Sequence, residues 1–292
     1  MSQPNTSQHT SFHSKRPVVA LMTDFGLGDG DVGVMKGVIV SIAPDVQLID
    51  ITHDVAPQNV PSGAFLLCAA YRYFPQNTVF VCVVDPGVGS SRNAIAIHAG
   101  DWFFVGPDNG LFSYIFAEQA VHGAVILSNP TYQLSQVSST FHGRDIFAPA
   151  GAHLARGIAL NELGTAIDPS RLQRLNIGLP TRQRGQTDKT SKKDTIDAHI
   201  IHIDNFGNLI TNIPLTMVPD LFSSPHVQII FPKTGAVVDK RRRFFADGPE
   251  SGEPFIYGDS SGYVGIAVRN GNASKTLGIG YGTSMALVIP GQ

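Results

Sequence analysis

The chain has 292 residues, of which 42% are apolar and 15% charged, and its formal net charge is -2. That length predicts one large domain or two modest ones with enough apolar side chains for a real core. The near-balanced charge excludes the electrostatic footprint of a protein that holds nucleic acid or an anionic membrane, and with no run of about 18 apolar residues the expectation is a soluble cytoplasmic protein.

Residues 1–16 are polar, rich in Ser, Thr, Gln and His, and lack the apolar segment of a signal peptide; they read as a disordered tail. Residues 17–22 (PVVALM) are a short apolar run that breaks into Thr23-Asp24-Phe25-Gly26, the pattern of a buried strand ending in a loop. A helix is expected over 34–43, stopped by Pro44-Asp45, then a strand over 46–51 and a helix over 64–73. The β-branched run 78–84 (TVFVCVV) predicts another strand, and 94–98 with 102–105 predict a hairpin. Residues 140–155 start as a loop and become a helix. This alternation predicts an α/β domain over 17–180 with a largely parallel sheet, whose strand-end loops carry the site. Residues 181–195 are charged and almost free of apolar side chains, so they read as an exposed linker. Over 196–292, short strand-like runs alternate with Gly- and Asn-rich turns, which predicts a small antiparallel, all-β C-terminal domain. Cys68 and Cys82 sit in apolar runs without metal-ligand spacing and read as buried free thiols.

Four loops carry the residues that could do chemistry. The first, residues 23–31, sets Asp24, Asp29 and Asp31 among glycines at a strand-to-helix junction. A carboxylate there can accept bonds from both hydroxyls of a ribose; a divalent-cation site and plain turn aspartates are the alternatives, and three acids argue against a phosphate. The second, residues 84–92, has Asp85 directly after a strand and Arg92 seven residues on, a spacing that lets a loop fold the two into a hydrogen-bonded pair, functional or structural. The third, Gly106-Pro107-Asp108-Asn109-Gly110, reads as a tight turn. The fourth places His142 in a polar loop ahead of a helix. No zinc-binding His-Glu-x-x-His is present. In the C-terminal region Phe206, Asn208 and Phe245 offer the aromatic faces and the amide that an adenine pocket needs, or are ordinary turn and core residues.

In order along the chain, TDFG, MKG (35–37), DITHDV (50–55), VDPGVGSSR, GPDNG, FHGRDIF, DNFGN, SSGY and RNGNAS resemble the S-adenosylmethionine hydroxide adenosyltransferase family, which is related to the fluorinase and chlorinase that attack the same substrate with halide. Each motif alone is weak; nine in order, across both expected domains, are specific. The resemblance implies an α/β N-terminal domain, a barrel-like C-terminal domain and a homotrimer whose active sites lie between subunits. It implies Asp85, Arg92 and His142 as the catalytic set and Asp24 as the ribose-binding carboxylate. Purine and methionine contacts would fall to Phe206, Asn208, Phe245, Asp29, Asn176, Asp204, Ser261 and Arg269.

The resemblance also implies hydrolysis of S-adenosyl-L-methionine to adenosine and L-methionine, the molecule being substrate, with no cofactor and no metal required. The rivals are a chlorinase-like use of halide and a non-catalytic adenosine or S-adenosylmethionine sensor. Against halide stands Asp85, where the halogenases have a tyrosine, because a carboxylate repels a bare halide and suits a water. The insertion that the fluorinase carries before its turn is also missing. Two positions depart from relatives: Asp31 stands where family members often have an aromatic residue, and Ser261 where the halogenases have an arginine.

Overall fold

The computed structural model describes residues 16–176, 178–184 and 193–290. The chain divides into two compact units, Met1–Arg174 and Leu175–Gln292. The expected tail lies outside the described residues except for Arg16, as do residues 185–192 of the expected linker.

In chain order the first unit holds β1 (Val18–Thr23), α1 (Asp31–Ile42), β2 (Gln47–Thr52), α2 (Val60–Ala70), β3 (Val79–Val83), β4 (Ala94–Ala99), β5 (Trp102–Pro107), α3 (Ser113–Glu118), β6 (Val121–Ile126), α4 (Ala148–Ala155) and β7 (Thr165–Ala166). Every residue of β1 and β3 is buried, as strands covered on both faces must be, which is why their sequences are nearly continuous apolar runs. Helix α1 starts at Asp31, whose charge suits the positive end of the helix, and buries Val32, Met35 and Ile39. Helix α2 is capped by the Asn59 side chain, which accepts from the Ser62 amide.

The sheet order is β2-β1-β3-β5-β4-β6-β7. Strands β2, β1, β3 and β5 run parallel, but β4, β6 and β7 join antiparallel. The sheet is therefore mixed rather than largely parallel. The cause is local: β4 and β5 are joined by Gly100-Asp101 alone, and so short a link permits only antiparallel pairing. Successive crossovers set β2 and β3 on opposite sides of β1. The winding thus reverses at β1, and ligands of such sheets bind outside the carboxyl ends of the strands at this reversal.

The second unit holds β8 (Thr181–Gln183), β9 (Lys193–Ile203), β10 (Leu209–Pro214), β11 (Gln228–Ile230), β12 (Val237–Val238), β13 (Phe255–Gly258), β14 (Tyr263–Ala267), α5 (Ala273–Leu277) and β15 (Ser284–Pro290). The two ends of the expected linker are strand: β8 pairs with the start of β9, and Arg182 holds the buried Asp194 at 2.8 Å. The sheet runs β12-β11-β15-β9-β10-β14-β13. Its edges approach through residues 240–242, where Arg241 bridges Ile256, the Ile256 amide donates to the Lys240 carbonyl at 2.7 Å and the Arg242 amide to the Ile256 carbonyl at 3.0 Å. This makes the sheet nearly a barrel around a core that includes Ile200, Ile213, Ile229, Phe231 and Leu287. Both cysteines are buried and free. No helix among the described residues is long and apolar enough to cross a membrane.

Candidate active site

Thr23 pairs with Val83 across β1 and β3, so Asp24 and Asp85 leave neighbouring strands at the carboxyl edge of the sheet. Loops one and two therefore rise side by side at the winding reversal. Loop four reaches them through α4, whose residues share a core with β1 and β3, and through the single π-helical turn Gly143–Phe147 that precedes it.

Asp85, Arg92 and His142 form a continuous hydrogen-bonded chain. Arg92 donates from Nε to both Asp85 oxygens at 3.1 and 3.0 Å and from Nη2 to Oδ2 at 2.5 Å. Both side chains are nearly buried, at 9% and 4% exposure, and the guanidinium lies 5.3 Å from the Phe147 ring centre. The same Nη2 lies 2.8 Å from His142 Nδ1. Arginine only donates, so Nδ1 accepts and the neutral ring carries its proton on Nε2.

The loops are held by their own backbones. Val88 N donates to the Asp85 carbonyl and Ser90 N to the Gly87 carbonyl, which folds loop two back on itself. Gly89, at φ 76°, is the residue where loop two meets loop four: a Cβ there would sit 2.5 Å from the Ser139 carbonyl oxygen. Loop three braces the start of loop two, as Asn109 Nδ2 donates to the Val84 carbonyl at 2.8 Å. Loop four is clamped by the fully buried Asp145, which accepts from both Ser138 N and Oγ at 2.8 Å and is paired with Arg144 at 2.6 Å. Burial raises the Asp145 pKa, but the Arg144 and Ser138 bonds outweigh it and leave the carboxyl below its ordinary value.

Burial, and then the Arg92 charge, push the His142 pKa below 6.5, while Asp85, Asp145 and the Ser138 backbone pull the other way. Protonation would set two like charges 2.8 Å apart and remove the acceptor of the Arg92 proton. The sign follows: a depressed basic group stays neutral until the pH drops below its ordinary value. Turnover should hold level as the pH falls through 6.5 and decline only below it. A pH–rate profile checks this, and a decline centred at or above that value contradicts a neutral His142.

Asp24 is half-buried, and its Oδ2 accepts from the Gln58 amide at 2.7 Å. Asp29 and Asp31 are exposed. Among the described residues no group of three or more His, Cys, Asp or Glu side chains is arranged to hold a metal ion.

In the second unit the β9–β10 turn is built on Asp204, which accepts from the amides of Phe206 and Asn208 and from Asn208 Nδ2, all at 2.8–2.9 Å. Gly207 closes the turn at φ 84°, where a Cβ would overlap the Asn272 side chain. Asn208 is buried and Phe206 is 74% exposed. Phe245 is half exposed and packs 4.9 Å from the Tyr257 ring. Ser261 donates from both its amide and its hydroxyl to Asp259 Oδ1. Arg269 reaches the Gly248 carbonyl and Glu250 at 3.3 Å. Asn176 is exposed in an irregular stretch and makes none of these bonds.

Three residues here escape sequence reasoning. The carboxylates of Asp204 and Asp259 both act on His202 and on Tyr257, so the four share one end of the sheet. Burial holds the Tyr257 hydroxyl well above its ordinary pKa, with the two carboxylates adding to it. No short motif announces this cluster, because its members come from β9, β13 and two separate turns.

The chain matches the family model for the SAM hydroxide adenosyltransferase N-terminal domain over residues 19–164 and that for the C-terminal domain over 198–286. An (R)-S-adenosyl-L-methionine hydrolase from Salinispora tropica is 39% identical over 264 residues, covering 90% of this chain and 94% of the relative. A fluorinase from Actinoplanes sp. is 28% identical, over 86% and 90%. Among solved structures, an uncharacterized conserved protein from Thermotoga maritima superposes with a TM-score of 0.82 at 34% identity, over 92% of this chain and 99% of that one. The chain belongs to the SAM hydroxide adenosyltransferase family.

Proposed function

We propose that this chain hydrolyses S-adenosyl-L-methionine to adenosine and L-methionine by attack of a water-derived hydroxide on C5′. The observation that carries the reading is the Asp85–Arg92–His142 chain at the winding reversal of the sheet, in a member of a family whose more similar relatives bear the hydrolase name.

In this reading the C5′–O bond forms as the C5′–S bond breaks. The electron pair goes to sulfur, methionine leaves neutral, and the water gives up one proton to solvent. Reaching hydroxide from water at pH 7 costs about 12 kcal/mol. Arg92 lowers that cost with fixed positive charge, Asp85 holds the guanidinium in one orientation, and His142 occupies the third corner. Hydroxide and sulfonium cancel each other's charge in the transition state, so a dry, preorganised site favours attack. Asp24 takes the ribose diol. Phe206, Asn208 and Phe245 take the purine, and Asp29, Asn176, Asp204, Ser261 and Arg269 serve the remaining purine and methionine contacts. No cofactor enters this scheme, in which the Arg92 guanidinium supplies the positive field. A cytoplasmic location belongs to the same reading and suits a chain with two unpaired thiols.

Incubation with S-adenosylmethionine in ¹⁸O-enriched water should give equimolar methionine and adenosine labelled at the 5′ oxygen. Binding without turnover would make the protein a sensor, and 5′-chloro-5′-deoxyadenosine formed in chloride buffer would make it a halogenase; either result overturns the proposal.

The working unit in this reading is a homotrimer with sites shared between subunits. It is supported by the family resemblance and by the division of the candidate residues between the two halves of the sequence. Mixing an Arg92→Ala variant with an Asn208→Ala/Phe245→Ala variant should restore activity, since cyclic head-to-tail assembly at random leaves about a quarter of the sites wholly wild type. A mixture that exchanges subunits yet stays inactive contradicts shared sites.

A further inference from the structure

Two of the quoted motifs have no part in the chemistry above: Met35-Lys36-Gly37 and the segment 50–55. Their polar residues meet behind Asp24. Lys36 Nζ donates to Asp50 Oδ2 at 2.6 Å. Asp50 Oδ1 lies 3.1 Å from His53 Nε2, but off the line a good hydrogen bond needs, so this buried nitrogen has no well-aligned partner. His53 Nδ1 is 2.9 Å from the fully buried Thr23 hydroxyl, and that oxygen accepts from the Phe25 amide at 3.2 Å.

One proton assignment fits both contacts of the ring. A carboxylate offers no proton, so Nε2–H faces Asp50 and Nδ1 accepts from the Thr23 hydroxyl. The backbone repeats the grip: the Gly26 amide donates to the His53 carbonyl at 2.8 Å and the Val55 amide to the Thr23 carbonyl at 3.4 Å. The chain running on from this segment reaches Gln58, whose φ of 61° is a left-handed value that a residue with a side chain adopts only when held there, and whose amide binds Asp24 Oδ2. Asp24 is thus fixed on both sides by one segment, with Oδ1 left for a ligand.

We propose that His53, oriented by Lys36 and Asp50, is a positioning residue that aims the Asp24 carboxylate at the ribose of the substrate. The proposal rests on the reading of Asp24 as the ribose-binding group. The buried His–Thr contact lies at the root of the loop that carries the ligand group, and two backbone bonds, Gly26 to His53 and Val55 to Thr23, tie the same two segments together.

The test compares His53→Ala, His53→Asn, Asp24→Ala and the double variant His53→Ala/Asp24→Ala. Affinities for adenosine and 2′-deoxyadenosine are measured by calorimetry beside kcat, KM and Tm. His53→Ala should weaken adenosine binding about tenfold and raise KM, with kcat and 2′-deoxyadenosine affinity nearly as they were. His53→Asn, whose Oδ1 can accept the Thr23 proton, should recover most of the loss. In the Asp24→Ala background His53→Ala should cost nothing more. Thr23→Val breaks the same contact at equal volume and should reproduce the loss if His53→Ala does not fold. Equal losses for both nucleosides, additive effects with Asp24→Ala, or a fall in kcat at constant KM would overturn the proposal. Full adenosine affinity in Asp24→Ala would instead show that the ribose reading itself is wrong, and the proposal would fall with it.

Discussion

Replacing Arg92 by alanine should cut kcat about a thousandfold, the scale of losing a preorganised donor aimed at developing or nucleophilic charge, while the affinity for S-adenosylmethionine changes little. The guanidinium bonds to Asp85 and His142 and the substrate reading gives it no contact to adenine, ribose or methionine. The loss therefore belongs to the step in which water gives up its proton. Two effects must be separated, because the substitution also strands Asp85, whose side chain is 4% exposed. A buried carboxylate without its partner costs about 3–5 kcal/mol of stability. Adding Asp85→Ala to Arg92→Ala removes the stranded charge and should return much of the melting temperature without returning turnover. Arg92→Lys keeps the charge but loses the forked geometry that holds Nε and Nη2 on one carboxylate, so it should remain severely impaired. Single-turnover assays beside thermal melts read both quantities; wild-type kcat in any folded Arg92 variant contradicts the assignment.

The first unit is more legible in sequence than the second, and the reason is burial. Strands β1 and β3 are nearly continuous apolar runs because both faces are covered, and their residues announce themselves. Strand β6 (VHGAVI) hides behind His122 and Gly123. Strand β10 hides behind two buried polar residues that pair within the fold: Thr211 Oγ1 donates to the Val264 carbonyl, and Asn212 bonds both the His199 amide and the Gly178 carbonyl. Polarity that reads as a loop in sequence is here satisfied inside a sheet.

The site divides in the same way. The seven-residue spacing of Asp85 and Arg92 anticipates an ion pair, and the ion pair is present. His142 joins it only through contacts 50 residues away in sequence, which spacing cannot express: the residues alone offer it as a candidate in a polar loop, and the family resemblance joins it to Asp85 and Arg92. Ser261 shows the opposite limit. The resemblance implies a ligand contact there, yet its hydroxyl and amide are both engaged by Asp259, so in this conformation its ligand-facing capacity is that of an acceptor.

Replacing Gly89 by alanine should lower kcat about a hundredfold, the cost of a misplacement on the ångström scale in a catalytic constellation, without touching any reacting group. Gly89 stands at φ 76°, and an added Cβ would lie 2.5 Å from the Ser139 carbonyl oxygen. The left-handed backbone alone costs an alanine about 1–2 kcal/mol. The overlap is with backbone, so no side-chain rotation relieves it; one loop must move. Loop two carries Arg92 and loop four carries His142, so a separation of Gly89 from Ser139 that carries the loops with it lengthens the 2.8 Å contact between them. Gly280 is a fair control, since a Cβ there meets nothing within 4 Å and its φ lies outside the left-handed range; Gly280→Ala should leave kcat and the melting temperature unchanged. In Gly89→Ala the affinity for adenosine should persist, because Asp24 is held from the other side by the Gln58 amide. A lowered melting temperature with wild-type kcat would mean that the Ser139 carbonyl yields without moving His142, and that the loop contact does not set the distance on which the arginine–histidine pair depends.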